Sequence, residues 1–133
     1  MKISTKGRYA LRMMIDIAEH GASEKVTIKE IAARQGISIK YLEQIVPNLT
    51  RAGLLRSERG AGGGYMLTKA PDQYTVGEIL RAIEGKLAPV ACLDDETNHC
   101  ARSGFCKTLT FWTGLYKVIA DYVDAGTLQD FLE

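Results

Sequence analysis

Two short helical segments separated by a single glycine constrain this chain more than any other part of its sequence. Thr27 is followed three residues later by Glu30, the capping-box pattern that opens a helix, and Gly36 then interrupts the segment. Ser38 can cap a second helix. Its apolar positions, which we predict to point inward, are Ile39, Leu42, Ile45, Val46 and Leu49. A helix, a glycine turn and a second helix together predict a helix-turn-helix, whose second helix lies in the major groove of DNA.

The polar face of the second helix carries side chains that can read base edges. These are Lys40, Tyr41, Glu43, Gln44 and Asn48. Glutamine can pair bidentately with adenine and glutamate can accept from the amino group of cytosine, whereas the plainer interpretation is a solvated helix face. Pro47 predicts a kink near the end of this helix, beyond the turn that would meet DNA.

A glycine-rich hairpin is predicted to follow. The segments Leu54 to Glu58 and Tyr65 to Thr68 favour strands, and RGAGGG joins them. Such a tip, flanked by Arg56 and Arg59, can bring backbone and guanidinium groups close to DNA, as the wing of a winged helix does. A nucleotide-binding loop is excluded because no Gly-Lys-Ser/Thr follows and the loop leads into a strand.

The C-terminal part of the chain predicts a helix capped at Thr75 and a long helix starting at Thr108. The apolar stripe of the long helix is too extensive for a small core, so we expect it to pair with a second copy of the chain. Its members are Leu109, Trp112, Leu115, Tyr116, Ile119, Ala120 and Val123. The predicted fold class is mainly α with a small β-hairpin. We divide the chain into a winged helix-turn-helix domain at 1–86, a cysteine-bearing loop at 87–107, and a dimerisation helix with a short C-terminal helix at 108–133.

All three cysteines lie in one polar segment, CLDDETNHCARSGFC, at positions 92, 100 and 106. The segment has no helical or strand periodicity, which favours a ligand-binding loop over three unrelated thiols. Zinc sites usually contain paired C-x2-4-C knuckles, which are absent, whereas an iron-sulfur cluster needs thiolates that converge in space. A small redox enzyme using the thiols directly is a remoter alternative, since the sequence has no C-x-x-C pair.

Charge and cysteine number indicate the setting. Residues 1–69 contain 12 Lys or Arg against 6 Asp or Glu, and residues 70–133 contain 5 against 10, so a basic half suited to a polyanion precedes an acidic half. Arg51 and Arg56 are predicted to contact phosphates. An odd cysteine count without a secretory signal predicts the reducing cytoplasm, and the charged N-terminal segment predicts no membrane span.

Several motifs together resemble the iron-sulfur cluster regulator family, the IscR-like winged helix-turn-helix bacterial transcription regulators. They are GRYALRMMIDIA, SIKYLEQI, RGAGGGYML, TVGEILRAIEG and the three cysteines before a Trp-bearing helix, which span nearly the whole chain. The resemblance implies a homodimer on a pseudo-palindromic operator, with a [2Fe-2S] cluster on Cys92, Cys100 and Cys106. It also implies control of cluster-assembly or iron-homeostasis genes. It places Ser38, Lys40, Tyr41, Glu43 and Gln44 in the major groove and Arg59 in the minor groove.

The cysteine segment departs from the family pattern in two places. The first two cysteines are separated by seven residues, more than in the best-known members, and Leu109 stands where those members have a histidine ligand. The fourth ligand therefore stays open. His99 and the acidic residues Asp94, Asp95 and Glu96 are the local candidates, and Glu43 is a remoter one. The alternatives on the same fold are a repressor that responds to zinc, thiol redox state or nitric oxide.

Overall fold

The structure, a computed structural model, describes residues 2–21 and 24–132. Five α-helices and one two-stranded antiparallel hairpin confirm the predicted fold class. The helices are α1 (Thr5–His20), α2 (Ile28–Gln35), α3 (Ile39–Arg51), α4 (Val76–Glu84) and α5 (Leu109–Ala125). The strands are β1 (Leu55–Ser57) and β2 (Tyr65–Leu67), and short 3-10 turns lie at Pro71–Gln73, Ala91–Leu93 and Leu128–Phe131. Within the described ranges, no helix is both long and apolar enough to cross a bilayer.

The helix-turn-helix is set up by local capping. The hydroxyl of Thr27 accepts from the backbone N–H of Glu30 at the start of α2, and that of Ser38 accepts from the N–H of Tyr41 at the start of α3. Gly36 ends α2 in the left-handed region, with φ of 65°, where a side chain would be strained. Each predicted start and stop is confirmed, and α3 continues through Pro47 to Arg51.

The hydrophobic core is built mainly from α1 and α3. Leu42, Ile45 and Leu49 of α3 are fully buried, as predicted, and each such side chain contributes about 1.5–3 kcal/mol through removal of apolar surface from water. Ile39 was predicted to point inward, and that prediction is wrong: the side chain is 46% exposed. It occupies the first position of α3, at the end of the helix, whereas the buried residues of α3 begin at Leu42.

A buried carboxylate fastens α1 to α2. Asp16 is fully buried and accepts from both Nε and Nη2 of Arg34 and from the amide of Gln35. Burial alone would raise the pKa of Asp16, but the hydrogen bonds from Arg34 and Gln35 outweigh it and hold the pKa below its usual value. The ionised carboxylate therefore fixes the angle between the two helices.

The C-terminal third of the chain folds back onto the winged helix-turn-helix. Arg81 of α4 forms a two-hydrogen-bond ion pair with Asp124 near the end of α5, at 2.7 and 3.0 Å. This pair lies over Gly77, where any Cβ would collide with it. Just after α5, Leu128 is fully buried and its N–H donates to the carbonyl of Tyr74. The end of α5 is thus held against α4, and the segment after α5 joins the N-terminal core.

Candidate DNA-binding surface and cysteine loop

The first turns of α3 present the predicted base-reading side chains to solvent. Ser38, Lys40, Glu43 and Gln44 are exposed, and the part of the chain that the structure describes gives no side-chain partner to Lys40, Glu43 or Gln44. Ser38 uses its oxygen to cap the helix, so its hydroxyl hydrogen is the group left to donate. The arrangement leaves donors and acceptors of α3 available for base edges.

Tyr41 differs from its neighbours because it is half-buried. Its ring packs edge-on against the ring of Tyr9 in α1, with centroids 5.4 Å apart, and the Arg12 guanidinium lies over the Tyr9 ring. Arg12 also donates to the carbonyl and side-chain oxygens of Gln35 at the end of α2. Tyr41 therefore joins α3 to α1 through a contact between residues far apart in sequence, and Arg12 joins α1 to the end of α2.

The wing is a short hairpin with a glycine-rich tip. Leu55 pairs with Leu67 and Ser57 with Tyr65, so the strands are shorter than predicted but in the predicted place. The glycines at 60, 62, 63 and 64 all have positive φ, between 63° and 147°. Such a backbone conformation is strained for residues other than glycine, which explains why the tip is rich in glycine.

The three predicted arginines have different surroundings. Arg59 is exposed at the base of the wing tip, and Arg51 is exposed in the last turn of α3. Arg56 pairs with Glu58 at 3.2 Å and contacts the sulfur of Met66. A phosphate contact by Arg56 would therefore compete with its own carboxylate neighbour, whereas Arg59 has no such partner among the described residues.

The cysteine-bearing loop lies between α4 and α5. Cys92 falls in the turn Ala91–Leu93 and is half-buried, Cys100 is exposed, and Cys106 is half-buried just before α5. All three thiols are free. Across residues 2–21 and 24–132, no three His, Cys, Asp or Glu side chains are close enough to hold a metal ion. The loop supplies the soft thiolate donors that an iron-sulfur cluster takes, and ligation would have to draw them together.

Cys106 has the most specific environment of the three thiols. Its sulfur lies 3.3 Å from the Thr108 hydroxyl. That hydrogen bond, together with backbone N–H groups of Thr108 and Leu109 at the start of α5, lowers the pKa of Cys106 below its usual value. The thiolate, which is the form that ligates metals, is thereby favoured.

The fourth-ligand candidates do not stand out geometrically. His99, Glu96 and Asp94 are exposed, while Asp95 pairs with Lys86 at 2.8 Å, which raises the pKa of Lys86. Glu43 lies on the exposed face of α3, outside the loop. His20 is at the end of α1, where its Nδ1 lies 3.0 Å from the carbonyl oxygen of Asp16.

Comparisons with known proteins agree with this geometry. The Rrf2 family, described as an iron-dependent transcriptional regulator, matches residues 3–133. The protein rrf2 of Nitratidesulfovibrio vulgaris is 42% identical over 99% of this chain and 87% of its own. The structure of CymR, described as the global cysteine regulator of B. subtilis, superposes with a TM-score of 0.80 at 39% identity, covering 99% of this chain and 96% of that one. IscR of T. potens superposes with a TM-score of 0.79 at 39% identity, covering 99% and 86%.

Proposed function

Because the chain belongs to the Rrf2 family of transcriptional regulators, which are DNA-binding proteins and not enzymes, we propose that it senses iron-sulfur cluster status. In this proposal a homodimer binds an operator, and a [2Fe-2S] cluster on Cys92, Cys100 and Cys106 changes which promoters it occupies. The genes under control would be those of cluster assembly or iron homeostasis. The observation that carries the proposal is the placement of three free thiols in one loop, directly after a winged helix-turn-helix.

DNA reading is assigned to α3 and the wing. Gln44 would pair with an adenine edge and Glu43 would accept from cytosine, while its negative charge would penalise other sequences. Arg59, which is exposed at the wing, would enter the minor groove, where arginine reads groove width. Arg51 would add a contact to a phosphate, which strengthens binding without selecting sequence.

Dimer formation is supported by an apolar stripe on α5 that the chain itself leaves uncovered. Phe111 and Val118 are each 65% exposed and Tyr122 is 82% exposed; with Leu115 they recur at helical spacing on one face. The predicted stripe through Trp112, Tyr116, Ile119 and Val123 is instead half-buried in the chain's own fold. The half-buried stripe and the exposed stripe are therefore neighbouring faces of α5, and the exposed one is free to pair with a second copy.

The uncovered stripe is also symmetric along the helix. Its members are placed evenly about the midpoint between Tyr116 and Lys117, so an antiparallel pair around a two-fold axis would match Phe111 with Tyr122 and Leu115 with Val118. A groove of about 610 Å³, lined mainly by apolar side chains including Leu80, Val123 and Phe131, continues from Tyr122. A second copy of α5 would cover both.

The cluster-binding role falls to the loop at 87–107, between the winged domain at 1–86 and the segment at 108–133. Cys106, favoured as a thiolate, would be the first ligand in place, and Cys92 and Cys100 would follow as the loop closes. A bound cluster supplies one-electron redox chemistry and can be lost to oxidants. His99, Asp95, Glu96 and Glu43 remain the candidates for the fourth position.

The cluster is tested by anaerobic reconstitution with ferrous iron and sulfide. We expect visible absorption from the wild type, and loss of that absorption with Cys92→Ala, Cys100→Ala or Cys106→Ala. Ser103→Ala, a change within the same loop, is the matched control and should leave the spectrum unchanged. A further spectrum of His99→Ala decides whether His99 is a ligand. Colourless wild-type protein under these conditions would refute the cluster proposal.

DNA reading is tested on duplexes that the wild type selects from a random pool. Arg59→Ala should weaken binding about tenfold and should reduce the slope of log affinity against log salt concentration by about one. Gln44→Ala should relax the selection of one base in the duplex. Comparing cluster-loaded and cluster-free protein on the same duplexes tests the regulatory part. If both forms bind every selected duplex equally, the cluster has no role in the choice of operator.

Dimerisation is tested with Val118→Glu, which places a charge in the centre of the uncovered stripe. We expect monomers in sedimentation velocity, and weaker DNA binding because each half-site must then be bound alone. Thr113→Glu adds the same charge on another face of α5, where Thr113 is exposed, and should leave the dimer intact. Wild-type protein that sediments as a monomer at micromolar concentration would defeat the dimer proposal.

A zinc- or thiol-responsive regulator on the same fold is the second candidate. The lowered pKa of Cys106 favours a reactive thiolate, and the likeness to CymR, described as a global cysteine regulator, does not depend on a cluster. This candidate predicts that the wild-type protein is colourless and that its DNA binding changes when zinc or peroxide is added. DNA binding by Cys106→Ser should not respond to either.

A further inference from the structure

Lys25, in the segment between α1 and α2, lies against the wing. Its Nζ donates to the backbone carbonyl of Arg59 at 3.4 Å. The neighbouring residue, Val26, exchanges two backbone hydrogen bonds with Tyr65 of β2, at 3.0 and 2.8 Å. The hairpin is therefore held on its β2 side by a third length of extended backbone, which fixes the position from which the Lys25 side chain starts.

Two glycines of the wing tip make room for this lysine. A Cβ on Gly64 would lie 2.9 Å from the Cβ of Lys25, and one on Gly60 would lie 2.7 Å from its Nζ. The lysine side chain thus spans from one end of the glycine tip to the other. The tip is closed by its own backbone hydrogen bonds, from Gly63 to Gly60 and from Glu58 to Gly64, and the lysine adds a side-chain contact that joins the tip to the segment between α1 and α2.

We infer that Lys25 is a positioning residue for the wing arginine. By holding the carbonyl of Arg59, it sets the direction in which the exposed guanidinium of Arg59 leaves the wing and so determines the minor-groove contact. The inference rests on the proposed contact of Arg59 with DNA. It assigns to Lys25 a role in recognition that acts through Arg59 and needs no contact of Lys25 with DNA.

The test is a double-mutant cycle on a duplex that the wild type selects from a random pool. Lys25→Met should weaken binding about fivefold when Arg59 is present and less than about twofold in the Arg59→Ala background. Lys25→Arg keeps a donor at this position and should retain most of the affinity. Thermal unfolding without DNA should be nearly the same for all variants, because Lys25 is outside the hydrophobic core and methionine keeps the length of its side chain.

A matched cycle uses Lys29→Met, which removes the same charge from an exposed lysine of α2 that has no hydrogen bond to the described part of the wing. Its effect should be equal with and without Arg59. Additive losses for Lys25→Met and Arg59→Ala would instead make Lys25 an independent phosphate contact and overturn the inference, as would no loss at all. Failure of the wild type to select any duplex would be a failure of the proposed function itself.

Discussion

The winged helix-turn-helix and the segment from the cysteine loop through α5 are stabilised in different ways. In the first, α1 and α3 each bury four apolar side chains, and Asp16, its buried charge, is fully hydrogen-bonded. In the second, α5 has no fully buried residue and the cysteine thiols are exposed or half-buried. The first region is complete within one chain, whereas the second leaves apolar surface and free thiols uncovered.

This difference separates folding from signalling. A region that needs nothing beyond its own chain keeps the recognition helix in place whether or not a ligand is present. On the proposed function, the region with uncovered apolar surface and free thiols would respond to a second copy and to a ligand, because each would add contacts that the chain alone lacks. We therefore expect the same substitution to have different effects in the two regions.

The largest contrast is expected from two leucine-to-alanine changes. Leu42→Ala removes a fully buried side chain of α3 and should lower the free energy of unfolding by about 3 kcal/mol. Leu115→Ala removes a side chain of α5 that is 36% exposed, and should lower the free energy of unfolding of the isolated chain by less than about 1 kcal/mol. Urea unfolding at low protein concentration measures both. Equal losses would mean that α5 is as firmly packed as α3.

A smaller effect is expected at the buried carboxylate. Asp16→Asn should lower the free energy of unfolding by about 2 kcal/mol, because Arg34 loses its charged partner. The folded-state pKa of Asp16 lies below its unfolded value, so the carboxylate stabilises the protein above pH 4 or so and this contribution disappears as pH falls through the folded pKa. The wild type should therefore lose stability in acid more steeply than Asp16→Asn, as measured by urea unfolding between pH 3 and 7. Parallel curves would show that Asp16 is not ionised in the fold.

The smallest effect is expected in the cysteine loop. Cys100 is exposed, and its side chain has no hydrogen bond to the described residues. Cys100→Ser should change the unfolding free energy of metal-free protein by no more than about 0.5 kcal/mol. Calorimetry without and with reconstituted iron and sulfide would distinguish a structural thiol from a ligand: a ligand changes only the second measurement.

Local signals explain how much of the fold the sequence predicts. Thr27, Ser38 and Thr75 cap helices through bonds to residues three positions away, and these starts are confirmed because nothing distant is needed to make them. The hairpin follows from its glycines in the same way.

The features that the sequence does not predict depend on contacts between residues that are far apart along the chain. Tyr41 looks like any polar-face residue until Tyr9 is brought beside it, and Lys25 has no visible relation to a wing more than thirty positions later. Arg56 has an acidic neighbour in sequence, yet only the pairing of strands shows that the two side chains meet. The roles of the three cysteines stay predictions, since convergence of the thiols depends on a ligand.

The contacts between α4 and α5 have a consequence for how this chain can change over time. Arg81 with Asp124, and Val76 with Gly126, hold the end of α5 against α4, so the two helices are joined by contacts that do not involve the loop between them. Lengthening such a loop is thermodynamically mild, since each doubling of length costs only about 0.6 kcal/mol. On the proposed function, the spacing between Cys92 and Cys100 would be free to change by insertion without disturbing the winged helix-turn-helix, so selection would tune the sensor while its DNA-binding output stays constant.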